Sequence, residues 1–117
     1  MKTVKYPVNN HDNYHAHVYF DQETLEVAES LCNKASELFM LKVGRLHHNA
    51  VGPHSKWSCQ ITFSSHDFEQ FIPWLDNNRQ GLNILVHALT DDNLKDHTEY
   101  ACWLGNEVRL NLEIFQP

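Results

Sequence analysis

Basic residues are scarce in this sequence: 9 Lys and Arg stand against 15 Asp and Glu, a formal charge of −6, and they nowhere cluster. A phosphate backbone or an anionic membrane needs a cationic stripe to bind, so neither nucleic acid nor membrane is an expected partner. Long apolar runs are missing as well. No stretch approaches the ~20 residues of a membrane span, and Met1-Lys-Thr-Val-Lys5 leads into Tyr6-Pro-Val-Asn-Asn-His-Asp12 rather than into the apolar core of a secretory signal. A cytoplasmic protein is expected. The three cysteines, Cys32, Cys59 and Cys102, are odd in number and widely spaced, which excludes a disulfide framework or a Cys-x-x-Cys zinc site and fits reduced thiols used as small apolar side chains. Low-complexity sequence is absent too, and a 42% hydrophobic fraction in 117 residues supplies one core, hence one domain over 1–117.

What the chain has in excess is histidine: nine residues, as many as its lysines and arginines together. Two of them sit in Tyr14-His-Ala-His-Val-Tyr-Phe20, a stretch of strand composition. Side chains alternate along a strand, so Ala16, Val18 and Phe20 face one way, and His15, His17 and Tyr19 the other. At ~3.3 Å per residue the two histidine α-carbons are roughly 6.6 Å apart, within reach of one ion. Imidazole suits zinc, iron, copper or nickel. The bland alternative is a pair of surface histidines on a half-exposed sheet.

From Leu25 the period changes. Leu25, Ala28, Leu31, Cys32, Ala35, Leu38 and Phe39 recur at helical spacing, with Asp21 as the expected N-cap and the end before Gly44. Strands are expected over 43–49 and 57–63, the second with Trp57, Cys59, Ile61 and Phe63 on the core side. Ser64 and Ser65 cap a second helix carrying Phe68, Phe71, Ile72 and Leu75, which Pro73 is expected to kink or restart. A buried fourth strand follows over 82–89, then an irregular stretch over 90–105 and a terminal strand over 108–115. This order is that of an α+β, ferredoxin-like βαββαβ antiparallel sheet with an appended C-terminal strand. Its sheet order is 4-1-3-2, so the end of the fourth strand lies level with the start of the first. That topology brings His87 beside His15 and His17.

The chain resembles the DOPA 4,5-dioxygenase family. The residues that carry the likeness are Tyr14-His-Ala-His-Val-Tyr-Phe20, Gly52-Pro-His-Ser-Lys-Trp-Ser-Cys-Gln-Ile-Thr-Phe63, Asn78-Arg-Gln-Gly-Leu82 with Val86-His87, and Asp96-His-Thr98 with Trp103-Leu-Gly105. The resemblance implies a ferredoxin-like homodimer that holds non-haem Fe(II), or another divalent metal such as zinc in a purified sample. It also implies that both atoms of O₂ are inserted into a catechol beside its hydroxyls. Two departures bear on the substrate pocket: Ala88 follows His87 where proline is expected, and Tyr100 replaces an expected histidine.

Roles follow from this reading. His15, His17 and His87 are the candidate metal ligands, with the carboxylates Asp91, Asp92, Asp96, Glu99 and Glu113 as alternatives for the third position. His54 and His97 are candidate catalytic residues, because a catechol loses protons on binding and a proton must be returned as the ring opens. Their structural alternatives are a turn at Gly52-Pro53 and a local cap beside Asp96. Arg45 and Arg79 could meet a substrate carboxylate or serve surface ion pairs. Two rivals remain: a non-catalytic module that binds a metal or small ligand, and an RNA-recognition domain of the same topology. The second needs exposed aromatics on its central strands, where this chain has Ser58, Gln60 and Thr62.

Overall fold

Alternation builds the sheet. In the computed structural model, which describes residues 4–115, β1 (Asn13–Phe20) sends Tyr14, Ala16, Val18 and Phe20 into one core, at 4% exposure or less. His15, His17 and Tyr19 stand on the opposite face. β3 (Trp57–Ser64) pairs antiparallel with β1 and turns Cys59, Ile61 and Phe63 to the same core. β4 (Ile84–Ala88) flanks β1 on its other side, with Ile84, Val86 and Ala88 inward and Leu85 and His87 outward. With β2 (Lys42–Val43) and β5 (Ala101–Leu104) at the edges, the order is β2-β3-β1-β4-β5, the expected ferredoxin-like sheet with its extra strand beside the fourth. Residues 1–3 and 116–117 of the expected domain lie outside the described residues.

Two helices cover the inner face. α1 (Leu25–Phe39) contributes Ala28, Leu31, Cys32 and Ala35, and α2 (Ser65–Asn78) contributes Phe68, Phe71, Ile72 and Leu75. Asp21 does not cap α1 directly. Its carboxylate accepts from the Thr24 backbone N–H and hydroxyl, closing a turn that precedes the helix, and Thr24 takes the cap position. Ser64 does cap α2: its hydroxyl accepts from the His66 N–H while Asp67 reaches back to the Ser64 N–H, a reciprocal pair that stabilises by about 1 kcal/mol. Pro73 neither breaks nor restarts α2, which runs through it with the ring on the exposed side.

The strand bounds differ from expectation at three places. The second strand shrinks to two residues plus an isolated His47–Ser58 bridge: the Gly44 N–H still donates to the Gln60 carbonyl, but between Val43↔Ile61 and His47↔Ser58 this side advances one residue more than β3, which interrupts the ladder. The fourth begins at Ile84, since the Leu82 N–H is spent on the Arg79 carbonyl in the turn after α2. The appended strand is 101–104 rather than 108–115. Residues 108–111 cross the outer face instead, where Val108 and Leu110 pack on a second small core of Tyr19, Leu85, Ala101 and Trp103; Leu112–Phe115 closes the segment as a 3-10 turn. Of the alternation over 108–115, Val108 and Leu110 pack against a sheet face without membership of the sheet, while Ile114 is exposed.

Gly105 marks a close approach. Its φ is +90°, and a β-carbon there would meet Asn83 Oδ1 at 2.6 Å and Arg79 Nη1 at 2.8 Å, so β5 can end against the α2–β4 turn only with glycine.

Candidate functional site

Strand register assembles the three imidazoles. Along the β1–β4 ladder His15 lies opposite His87, and His17 follows two residues along the same face. One ligand nitrogen from each of His15, His17 and His87 comes within 4.8 Å of the others. The His17 and His87 Nε2 atoms are 3.0 Å apart, which is about the separation of two imidazoles at right angles on one ion with metal–nitrogen bonds of ~2.1 Å. His87 Nδ1 lies 2.7 Å from the Ala88 carbonyl oxygen and can only donate to it. That bond puts the proton of a neutral ring on Nδ1 and leaves the Nε2 lone pair facing the group, the usual device for orienting a metal-ligating histidine.

Burial prepares the same rings electrostatically. It lowers the His87 pKa to about 3, against a partly opposing hydrogen bond to Ala88, and holds His17 well below its ordinary value, with the neighbouring histidines adding to the effect. His15, less buried, is lowered by the same causes, offset in part by Asp96. All three are therefore neutral at neutral pH, and in the metal-free protein the His17 Nε2–H donates to the His87 Nε2 lone pair, a proton that a bound metal ion would displace. An all-nitrogen donor set of this kind fits zinc, iron, copper or nickel better than magnesium or calcium. The residues present fit a transition metal.

Two further histidines stand over the group. His54 comes from the β2–β3 loop, where Gly52 at φ +59° turns the chain into Pro53, and its ring centroid is 4.0 Å from that of His17. Its Nδ1 is 2.6 Å from the Tyr19 hydroxyl, and burial lowers its pKa to about 4. Tyr19 is itself pushed above the ordinary phenol value by burial, so this bond stays between neutral groups. His97 ends the short helix α3 (Asn93–Asp96), with its ring 4.2 Å from His87 and 6.5 Å from His54. Its Nδ1 donates to the Asn93 carbonyl at 2.8 Å, which leaves Nε2 as the available base. The local turn role and the place in the cluster thus coincide in one residue.

The carboxylate alternatives are engaged elsewhere or lie outside the group. Asp96 is fully buried, but both its oxygens accept from Thr90, one from the N–H at 2.9 Å and one from the hydroxyl at 2.6 Å. Asp92 caps α3 by accepting from the Lys95 N–H. Among the described residues, no carboxylate joins the three imidazoles. Arg79 is taken up by Asp76 at 2.8 Å and by the Leu82 carbonyl, and Arg45 follows β2 at the sheet edge remote from β5. His48 stacks on Trp57, and His47 only approaches His54. Both sequence departures lie off the histidine face: Ala88 is in the helix-side core, and Tyr100 packs against that core and His11.

The family model for the Dopa 4,5-dioxygenase family matches residues 14–114, a span that includes all five clustered histidines. The chain belongs to the Dopa 4,5-dioxygenase family. It is 32% identical over 108 residues to a DOPA 4,5-dioxygenase of Amanita muscaria, covering 85% of this chain and 47% of that protein. It is 31% identical over 113 residues to an uncharacterized 21.2 kDa protein of Botryotinia fuckeliana, covering 86% and 62%. The chain therefore spans only about half to three fifths of the length of these curated relatives. A crystal structure from Nostoc punctiforme, described as a putative dioxygenase, shares the fold at a TM-score of 0.84 and 40% identity, over 87% of this chain and 89% of that one.

Within this Dopa 4,5-dioxygenase family member, two partners of the cluster went unassigned in the sequence. Alternation puts Tyr19 on the histidine face, but its bond to His54 depends on how the 52–55 loop folds over β1. Phe115, whose ring stacks 4.7 Å from that of His97, reaches the cluster only because the segment after residue 108 crosses the sheet face.

Proposed function

We propose that this chain is a non-haem iron extradiol dioxygenase that opens the ring of a catechol such as DOPA with O₂. The observation that carries the proposal is the convergence of three neutral imidazoles on one sheet face, with two further imidazoles above them that are not needed as ligands. His15, His17 and His87 would hold Fe(II) from one side. An Fe(II) ion held there would supply one-electron transfer between catechol and O₂ and so relieve the spin restriction on their direct reaction. The chain's own work is then positioning and proton handling. His97 Nε2 and His54 are the candidate bases for the catechol protons, and one of them returns a proton as the carbon–carbon bond beside the hydroxyls is broken. Tyr19 holds the His54 ring against rotation. The Val108–Leu110 segment, packed over Tyr19, Leu85 and Trp103, shields the cluster's flank from water. The same reading has the protein acting in the cytoplasm as a homodimer, for which sedimentation of the purified chain is the check.

The test is oxygen uptake by anaerobically Fe(II)-loaded protein against a catechol panel that includes L-DOPA. Uptake with a yellow ring-opened product, lost in the His15→Ala/His17→Ala double variant, is the expected result. No uptake with any catechol despite confirmed iron loading would overturn the enzyme reading and leave a metal- or ligand-binding module. Among the described residues no helix is long and apolar enough to cross a membrane.

A further inference from the structure

We propose that the cleft beside the histidine cluster contains a carboxylate subsite in which Arg109, with Lys5 as a second cation, selects catechols whose side chain ends in a carboxylate. The inference rests on the dioxygenase reading for the ring's position and adds the chemistry at the other end of the substrate. The cleft has a volume of about 600 Å³, ample for a catechol with a short side chain. It is lined by Ala101 and Trp103 of β5, by Val108 and Leu110 of the crossing segment, and by His97. Ala101 pairs with His87 across the β4–β5 ladder, and the His97 ring is 4.2 Å from that of His87, so two residues that line the cleft adjoin one of the three imidazoles. Apolar walls next to the metal ligands suit a flat ring, and charge at the exposed rim suits a polar tail.

That rim carries Arg109 and Lys5 against a single carboxylate, Glu107. In a chain of net charge −6, two of nine cations in one cleft form a local exception to a surface that otherwise repels anions. Arg109 has no side-chain partner among the described residues, unlike Arg79. Lys5 donates to the Glu99 carbonyl, which leaves two of its three ammonium protons for another acceptor. The Arg109 backbone is held relative to the catalytic loop: Ser55 Oγ donates to its carbonyl at 2.6 Å, Leu110 bridges to His54, and the Asn111 N–H donates to the Pro53 carbonyl at 2.7 Å. A guanidinium fork so placed matches a carboxylate in two parallel hydrogen bonds, which a lysine cannot reproduce.

The experiment is calorimetric titration of the purified chain, without added metal, with 3-(3,4-dihydroxyphenyl)propionate and with its methyl ester, which differ only in the charge of the tail. Wild type is expected to bind the acid about 10- to 100-fold more tightly than the ester, the range for a charge-assisted hydrogen-bonded pair. Arg109→Gln should bring that ratio toward one, Arg109→Lys should retain part of it, and Arg45→Gln should leave it as in wild type. Equal affinity for acid and ester, absence of binding by either, or an unchanged ratio in Arg109→Gln would each overturn the subsite. The two readings fail separately. Acid selectivity lost in Arg109→Gln without oxygen uptake on any catechol would sink the dioxygenase and keep the subsite. Uptake at equal KM for acid and ester would do the reverse.

Discussion

Removing His87 perturbs the candidate metal centre at its most buried point. The residue is 2% exposed, its Nε2 lies 3.0 Å from that of His17, and its Nδ1 proton is committed to Ala88, so its one free lone pair serves the group. His87→Ala takes away one of three nitrogen ligands. Structural four-ligand zinc sites bind with ~10–16 kcal/mol, or roughly 3 kcal/mol per ligand, so the variant should bind metal about two orders of magnitude more weakly. It also strips His17 Nε2 of its partner in the metal-free protein, at about 1–3 kcal/mol of stability. The assay is metal content after Fe(II) loading and desalting, joined to competition against a chromophoric chelator, with circular dichroism to confirm the fold. His54→Ala is the control, since His54 touches His17 yet lies outside the ligand group, and it should retain one metal per chain. A folded His87→Ala protein with stoichiometric metal at wild-type affinity would refute the three-histidine centre and return the third position to a carboxylate after β4.

Three further outcomes are expected. In the metal-free chain the His54 and His87 pKa values are depressed, to about 4 and about 3, so between those values and 6.5 the unfolded state binds more protons than the folded one. Stability is then full above about pH 6.5 and lost as pH falls; His54 alone accounts for about 3 kcal/mol between pH 7 and pH 4, and a urea midpoint that stays flat from pH 7 to pH 4.5 would contradict it. Tyr19→Phe leaves the His54 Nδ1 without its 2.6 Å partner, which should cost about 1–3 kcal/mol of stability and lower turnover with metal content unchanged; loss of metal would mean that Tyr19 supports the ligands themselves. Asp96→Ala breaks two hydrogen bonds to Thr90 that pin the segment leading into α3, at roughly 2–4 kcal/mol, and should impair turnover through His97 before it reduces metal binding; chemical denaturation and metal analysis on the same preparation separate the two effects.

What was legible in the sequence was what a period of two or of 3.6 residues can carry. Ala16, Val18 and Phe20 alternate with His15, His17 and Tyr19, and Phe68, Phe71, Ile72 and Leu75 mark one helix face, so the core and the histidine face followed, and strand topology then brought His87 to His15. Each of these steps depends on side chains whose direction the backbone dictates locally. The Ala101–Leu104 strand was not legible, because its four residues are apolar or nearly so on both faces and show no alternation to separate them from a buried turn. Residues 108–115 show alternation without being a strand: Val108 and Leu110 face the sheet because a segment that crosses a sheet face also turns alternate residues toward it, whereas Leu112–Phe115 is a 3-10 turn with Ile114 exposed.

That second misreading had consequences for the site. With 108–115 placed at a sheet edge, Arg109 would be an ordinary edge cation, and attention falls on Arg79, which stands in a family motif. In the structure Arg79 braces the turn against Gly105, while the crossing segment brings Val108 and Leu110 over Trp103 and carries Arg109 to the cleft rim. The ligand cluster is thus a product of strand register, which short-range pattern specifies. The surroundings that would choose a substrate are a product of where a loop and a terminal segment cross the sheet, which only tertiary packing decides.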